Sequence, residues 1–340
     1  MTTYRMPAEW TPHARTWMAW PSPNPTFAND AELAGARAAW AAVARAVRRF
    51  EPVTLVVAPG DAPSARALVG EDVDLLECPL DDAWMRDIGP TFVLDEEGRP
   101  AAVDWVFNGW GDQDWARWEH DAEIARRVAG AAGVPVLPSP LVNEGGAIHV
   151  DGEGTVLLTD TVQLGPDRNP GWTREDVERE IHARLGTTKA IWLPHGLTGD
   201  YGRYGTQGHV DIVASFARPG TVLVHSQRSP EHPDHERSRL YADLLRGATD
   251  ARGRALEVVE VPAPTVLKNE DGGWADYSYI NHYLCNGAVI LCAFDDPHDE
   301  IAAGIFRRLF PEREIVLVDA RPIFAGGGGV HCITQQQPAG

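Results

Sequence analysis

The sequence predicts an α/β fold built from five related units closed into a ring. Two observations carry this. Amphipathic helix patterns recur along the 340 residues, each followed by a short apolar strand. Four of these helices start roughly 55 to 65 residues apart, a regular spacing that points to repeated architecture. A third observation is that two apolar stretches joined by a turn signal precede each of those four helices. Each unit therefore reads as strand, hairpin, strand, helix, strand.

The elements follow in order. ELAGARAAWAAVARAVRRF is a helix, and VTLVVAP is the strand after it. The later helices begin near residues 119, 174, 234 and 298, and lead into VPVLP, KAIWLP, ALEVVEVP and EIVLVDA. The hairpins turn at DEEGR, DGEG, RPG and NG, where Gly, Asn and Pro supply turn torsions. The first helix has only RTWMAWP before it, while the last unit leaves GVHCIT over. If GVHCIT is a strand that completes the first unit, the N- and C-terminal segments close the ring. The alternative is an open mixed α/β sheet.

Composition narrows the function. Hydrophobic residues make up 44% and there are 12 Trp, enough for a large core. A net charge of −19 argues against nucleic acid or an anionic membrane as partner and suits a small cation. MTTYRMPAEW has no apolar leader, and no apolar run approaches the roughly 20 residues of a membrane span. Cys78, Cys285, Cys292 and Cys332 show no CxxC pair, as expected for free thiols in a reducing cytoplasm.

Equivalent positions of the units carry polar or reactive side chains where the pattern otherwise wants apolar ones: Asp87 in WMRDIGP, Glu144 and His149 in NEGGAIH, His209 and Asp211 in GHVD, Asn281 and His282 in YINHY, and Cys332 in GVHC. Two residues apart, His209 and Asp211 would share one face of a strand. Buried polar groups are costly unless paired, so their coincidence suggests a site. Cys with His makes a thiolate nucleophile with a proton shuttle. Two carboxylates match the edges of a planar guanidinium. HxD could also be half of a metal site, but the other candidates include a Cys and no clear third His, so no metal is expected. Arg86 could be the ion-pair partner of Asp87. His331, next to Cys332, would point to the opposite strand face.

At these residues the chain resembles the agmatine deiminase branch of the guanidino-group-modifying (pentein) superfamily. The resemblance runs from MPAEWTPHARTWMAWP through WMRDIGP, FNGWG, NEGGAIHVDGEGT, DRNP, IWLPHGLTGD and GHVD to GGGGVHCITQQQP. It implies a pseudo-fivefold, five-bladed α/β propeller filling residues 1–340 as a single catalytic domain. It further implies cofactor-free and metal-free hydrolysis of a guanidine, most readily agmatine to N-carbamoylputrescine and ammonia. Carried over by motif, Cys332 is the nucleophile, His209 the acid and base, and Asp87 and Asp211 the guanidinium clamps. Trp84, Trp110, Glu144 and Gly329 match positions that line the pocket. A homodimer and a cytoplasmic location are expected. GDYGRYGTQGHVD, VQLGP and WADYSYIN depart from the family pattern around the mouth of the site. Another guanidino substrate, met at its carboxylate by Arg203 or Arg86, therefore stays an alternative, as does transfer of the amidino group to an amine.

Overall fold

The computed structural model describes residues 2–269 and 272–340. Its α/β architecture consists of five small mixed sheets. Four share one plan. Thr91–Asp95, His149–Val150, Ala214–Arg218 and Tyr283–Cys285 each pair antiparallel with the next strand, Pro100–Val106, Thr155–Thr159, Thr221–Ser226 and Ala288–Ala293 respectively. Each of those second strands then pairs parallel with a third, reached through a helix: Val136–Val142, Lys189–Leu193, Glu257–Pro262 and Glu314–Asp319. A hairpin can be tight, whereas a parallel neighbour needs a crossover, and the helices supply it.

The fifth sheet joins the chain ends. His13–Ala19 pairs parallel with Val53–Val57 across the long helix Asp30–Arg48, and antiparallel with the C-terminal strand Gln335–Pro338. That helix starts where the Asn29 side chain accepts from the amides of Ala31 and Glu32, and its Arg45 and Arg48 complement the dipole at the other end. Its buried face carries Ala36, Trp40, Val43 and Val47 into the largest apolar cluster. The helix Arg174–Leu185 starts on a Thr173–Asp176 capping box and stops at left-handed Gly186. A helix Ala62–Val69 and an edge strand Asp74–Glu77 extend the first unit beyond the five-part pattern.

Three expectations need correction. The closing strand is Gln335–Pro338 and not GVHCIT, because residues 330–333 form a turn. In that turn the Cys332 carbonyl accepts from the Arg86 amide, and the His331 amide donates to Asn281 Oδ1. A ladder strand would have turned these groups towards its neighbours. Likewise His209 and Asp211 do not lie on a strand. His209 precedes a single 3-10 turn, Val210–Ile212, and the strand begins at Ala214. Asp87 sits in the single α-helical turn Met85–Ile88, and Glu144 just ahead of the 3-10 turn Gly145–Ala147. The helix expected from residue 119 starts at Ile124, because Asp121 accepts from the amides of Asp81 and Asp82 in a preceding 3-10 turn.

The C-terminal strand is bound by side chains as well as by its ladder. Gln337 accepts from Trp17 Nε1 at 3.0 Å, Gln335 donates to the Pro90 carbonyl, and Gln336 accepts from Arg86 Nη1 at 2.8 Å. Arg86 is buried, so losing that acceptor leaves part of a charged group without a partner. Gln336→Ala is expected to lower unfolding free energy by about 1–3 kcal/mol, the usual cost of a buried group left unsatisfied. Urea titration checks this; an unchanged midpoint would show that the strand does not depend on the contact.

Candidate active site

The turns ahead of the hairpins aim their side chains at one another. Asp87 is held at both oxygens: Oδ2 accepts from Trp110 Nε1 at 2.9 Å and Oδ1 from the Gly146 amide at 3.0 Å. Trp110 stands at φ 56°, unusual for a bulky residue and costing on the order of 1–3 kcal/mol. Its bond to Asp87, stacking on Trp115 at 5.5 Å and edge contact with Phe107 at 5.0 Å hold it there.

Gly146 marks the centre. A Cβ on this residue would lie 2.5 Å from His209 Nδ1, 3.0 Å from Asp87 Oδ1 and 3.1 Å from Asp211 Oδ2. Those three atoms therefore border one small space, and only glycine leaves it open. Asp211 Oδ2 is also 3.6 Å from Cys332 Sγ, which accepts from Asn281 Nδ2 at 3.2 Å. All four proposed catalytic side chains thus meet, each nearly or wholly removed from solvent.

Two rows of ion pairs hold the carboxylates. In one, Arg168 Nε meets Glu144 at 3.0 Å, Glu144 Oε2 meets His209 Nε2 at 3.2 Å, and His209 Nδ1 lies 3.8 Å from Asp87 Oδ1. In the other, Arg86 Nη2 reaches Glu9 Oε2 at 3.5 Å, and Glu9 Oε2 meets His331 Nε2 at 2.9 Å. His331 Nδ1 then meets Asp211 Oδ2 at 2.7 Å. Asp200 supports the first row by accepting from the amides of Thr206, Gly208 and His209.

These contacts set the protonation states. Burial alone would lower the pKa of His209, but Asp87, Glu144 and Asp211 together raise it to about 9. Burial pushes Asp87 up to about 6, with His209 opposing and Asp211 and Glu144 adding to the rise. Asp211 lies below the usual carboxylate range because His331 outweighs its burial. Burial, then Asp211 and Asp87, drive the Cys332 thiol well above its ordinary value, against backbone and side-chain hydrogen bonds from Gly329 and Asn281. Near neutral pH the free site therefore holds a thiol beside an imidazolium.

The residues expected to line the pocket are distributed unequally. Trp110 touches Asp87, and Trp84 lies beside Cys332, its ring 2.9 Å from where a Cβ on Gly328 would stand. A Cβ on Gly329 would collide with Asn281 and Phe324, so this glycine permits close packing. Glu144 is engaged by Arg168 and His209. Arg86 pairs with Glu9, not with Asp87, and Arg203 lies over the Tyr204 ring at 4.8 Å. His149 accepts from the Phe216 amide, and His282 packs edge-on against Phe306 at 4.5 Å. Glu9, Arg168 and Asp200 were not singled out from sequence, although MPAEW, DRNP and LTGD contain them. A charged residue inside an otherwise apolar or turn-rich motif was the available signal. Glu9, His149 and His331 bring ligand-type atoms within 4.8 Å of one another, but the Glu9–His331 hydrogen bond already occupies that geometry.

A family model described as Porphyromonas-type peptidyl-arginine deiminase matches residues 5–338. A Streptomyces coelicolor protein, provisionally named agmatine deiminase, is 80% identical over 336 residues, which are 99% of this chain and 99% of its own. The agmatine deiminase of Stutzerimonas stutzeri is 42% identical over 358 residues, covering 99% of this chain and 96% of its own. Among solved structures, an agmatine deiminase of Enterococcus faecalis superposes with a TM-score of 0.92 at 32% identity, covering 98% of this chain and 96% of that one.

The His209 proton makes a testable contribution to stability. Its folded pKa of about 9 exceeds the ordinary value of about 6.5. The stabilisation is therefore complete below about pH 6.5 and lost as pH rises through about 9. Asp87→Asn removes the largest of the charges that raise this value, so the imidazole should titrate at lower pH by NMR. An unmoved titration would mean that Asp87 does not set the charge state of His209.

Proposed function

The chain belongs to the Porphyromonas-type peptidyl-arginine deiminase family, and from that premise we propose that it hydrolyses agmatine to N-carbamoylputrescine and ammonia. The carrying observation is the meeting of His209, Asp87 and Asp211 around Gly146, with Cys332 Sγ 3.6 Å from Asp211 Oδ2. Two carboxylates hold the edges of a guanidinium against the sulfur, which a delocalised and weakly electrophilic carbon requires.

The steps follow from the charges. An arriving guanidinium neutralises the field of Asp87 and Asp211, the field that keeps the Cys332 thiol protonated. The thiol then releases its proton to solvent, His209 being protonated already, and the thiolate forms a C–S bond to the guanidinium carbon. His209, already an imidazolium, donates its proton to the departing nitrogen as the C–N bond breaks and ammonia leaves. The remaining S-alkylthiouronium is attacked by water, whose proton passes to the now neutral His209. The C–S bond breaks as the added hydroxyl becomes the carbonyl and its proton passes to the departing sulfur, so N-carbamoylputrescine leaves and the resting thiol and imidazolium are restored.

Agmatine suits the site better than arginine does. Among the described residues, Arg86 and Arg168 are the buried arginines beside the site, and both are paired, with Glu9 and Glu144. Neither is disposed to receive a substrate carboxylate. The −19 net charge favours approach of a dication. We read the five sheets as blades of one five-bladed propeller spanning residues 1–340 as a single domain, supported by their common plan and by the shared terminal sheet. Free Cys78, Cys285, Cys292 and Cys332 fit a cytoplasmic location, and no described helix is long and apolar enough to cross a membrane. Leu240 and Leu244, exposed one turn apart on the helix Asp234–Arg246, offer apolar surface that a homodimer would cover.

Ammonia release from agmatine, arginine and a peptidyl arginine, measured side by side, tests the assignment. Release from agmatine, abolished by Cys332→Ser, is expected. Release from either arginine compound with none from agmatine would contradict the substrate.

A further inference from the structure

The steps above leave His331 without a part, yet its surroundings repeat those of His209. Arg168–Glu144–His209–Asp87 and Arg86–Glu9–His331–Asp211 are two rows in the same order, each ending on a guanidinium-clamp carboxylate. They differ at the histidine. His209 Nδ1 has no hydrogen-bond partner and is 3.8 Å from Asp87, so it is available to the reaction. His331 has a carboxylate oxygen on each nitrogen, at 2.7 and 2.9 Å. A ring bonded to carboxylates on both sides must donate from both, which only the imidazolium can do.

We propose that Glu9 and His331 are positioning residues for the deimination: Glu9 keeps His331 charged, His331 holds one oxygen of Asp211, and together they tie guanidinium binding to loss of the Cys332 proton. This rests on the guanidine-hydrolase reading above. The two rows contain four carboxylates, Glu9, Asp87, Glu144 and Asp211, and four cations, Arg86, Arg168, His209 and His331. A guanidinium adds one positive charge to this balanced set, and release of the thiol proton restores the balance. With a neutral His331 the empty site would carry one excess negative charge, which the guanidinium alone would neutralise. Cys332 would then keep its proton, and substrate would bind without reacting.

Glu9 also accepts from the Leu284 amide, and Asp211 keeps Oδ1 without a protein partner while His331 holds Oδ2. The other groups facing His331 are the Arg86 guanidinium, which bonds its carbonyl, Asn281, which bonds its amide, and the His149 ring at 6.2 Å. Burial pushes His149 down to about 3 and the nearby His282 down to about 4, leaving both neutral. His331 is thus the histidine of its row that carries charge.

The test measures kcat and KM for agmatine against pH in wild type, Glu9→Gln, Glu9→Asp and His331→Gln, with thermal melts of each. In Glu9→Gln the amide can still accept from Leu284 and meet His331 Nε2, so shape is retained while the charge is lost. At neutral pH its kcat should fall roughly tenfold to a hundredfold, the range set by one lost charge-assisted hydrogen bond, with KM unchanged or lower. The ratio of variant to wild-type kcat should climb as pH falls and His331 regains its proton. Glu9→Asp should stay closer to wild type. His331→Gln should lose kcat without recovery at low pH. A folded Glu9→Gln with raised KM at unaltered kcat, or with a pH-independent ratio, overturns the proposal. If Glu9→Gln shows no cooperative melt, His331→Gln carries the test, and raised KM at unaltered kcat there overturns it equally. Wild type that releases no ammonia from agmatine would instead overturn the hydrolase reading itself.

Discussion

Carboxylates removed from water must be compensated, because an isolated buried charge is among the most expensive features a fold can contain. This protein buries four carboxylates, Asp87 and Asp211 at one small space and Glu144 and Glu9 behind the two histidines, and the two Arg–Glu–His–Asp rows are its answer. Much else follows from them. Arg86 reaches the C-terminal strand through Gln336, and Glu9 reaches the hairpin strand Tyr283–Cys285 through the Leu284 amide. The same charges that would bind a guanidinium therefore also join the chain ends to the rest of the fold. Replacing one member with an apolar residue would strand its partner, which is why these pairs act as rows and not as separate bridges.

The site lies in turns, and this has a physical reason. A strand commits its amides and carbonyls to neighbours and alternates its side chains between two faces. A short turn releases those backbone groups: the Gly146 amide donates to Asp87, and the Cys332 carbonyl accepts from Arg86. Each hairpin sheet gives rigidity a few residues away, so the functional side chains sit on short leashes from stable ladders.

This division also explains what could be read in the sequence. Helices and hairpins were legible because hydrophobic periodicity encodes them directly; the union of the two chain ends was inferred from an unfinished first unit, and the strand that makes it, Gln335–Pro338, carries no apolar pattern. Cys332, His209, Asp87 and Asp211 were legible as polar or potentially reactive side-chain types interrupting apolar patterns, and the fold brings them together. Their local conformation was not: HVDIVASF and GVHCIT look β-prone, and tertiary hydrogen bonds override that tendency at their polar positions. Glu9, Arg168 and Asp200 were missed for a related reason. Acids and arginines ordinarily signal surface, and nothing local shows that these three are buried against each other's neighbours. The placement of His331 was misjudged because strand alternation put it on the opposite face. In a turn, adjacent His331 and Cys332 can both face Asp211, at 2.7 and 3.6 Å.

The chemistry proposed here depends on a sulfur that is unreactive until a cation arrives. Burial and two carboxylates hold Cys332 protonated, and a guanidinium between those carboxylates removes the cause. The most direct test is intact-mass analysis of wild-type protein quenched in acid during turnover of agmatine, with the modified peptide located. The account predicts an adduct on Cys332 equal to agmatine less ammonia, formed and consumed as product accumulates. Ammonia release with no adduct on Cys332, or with one on another residue, would contradict it.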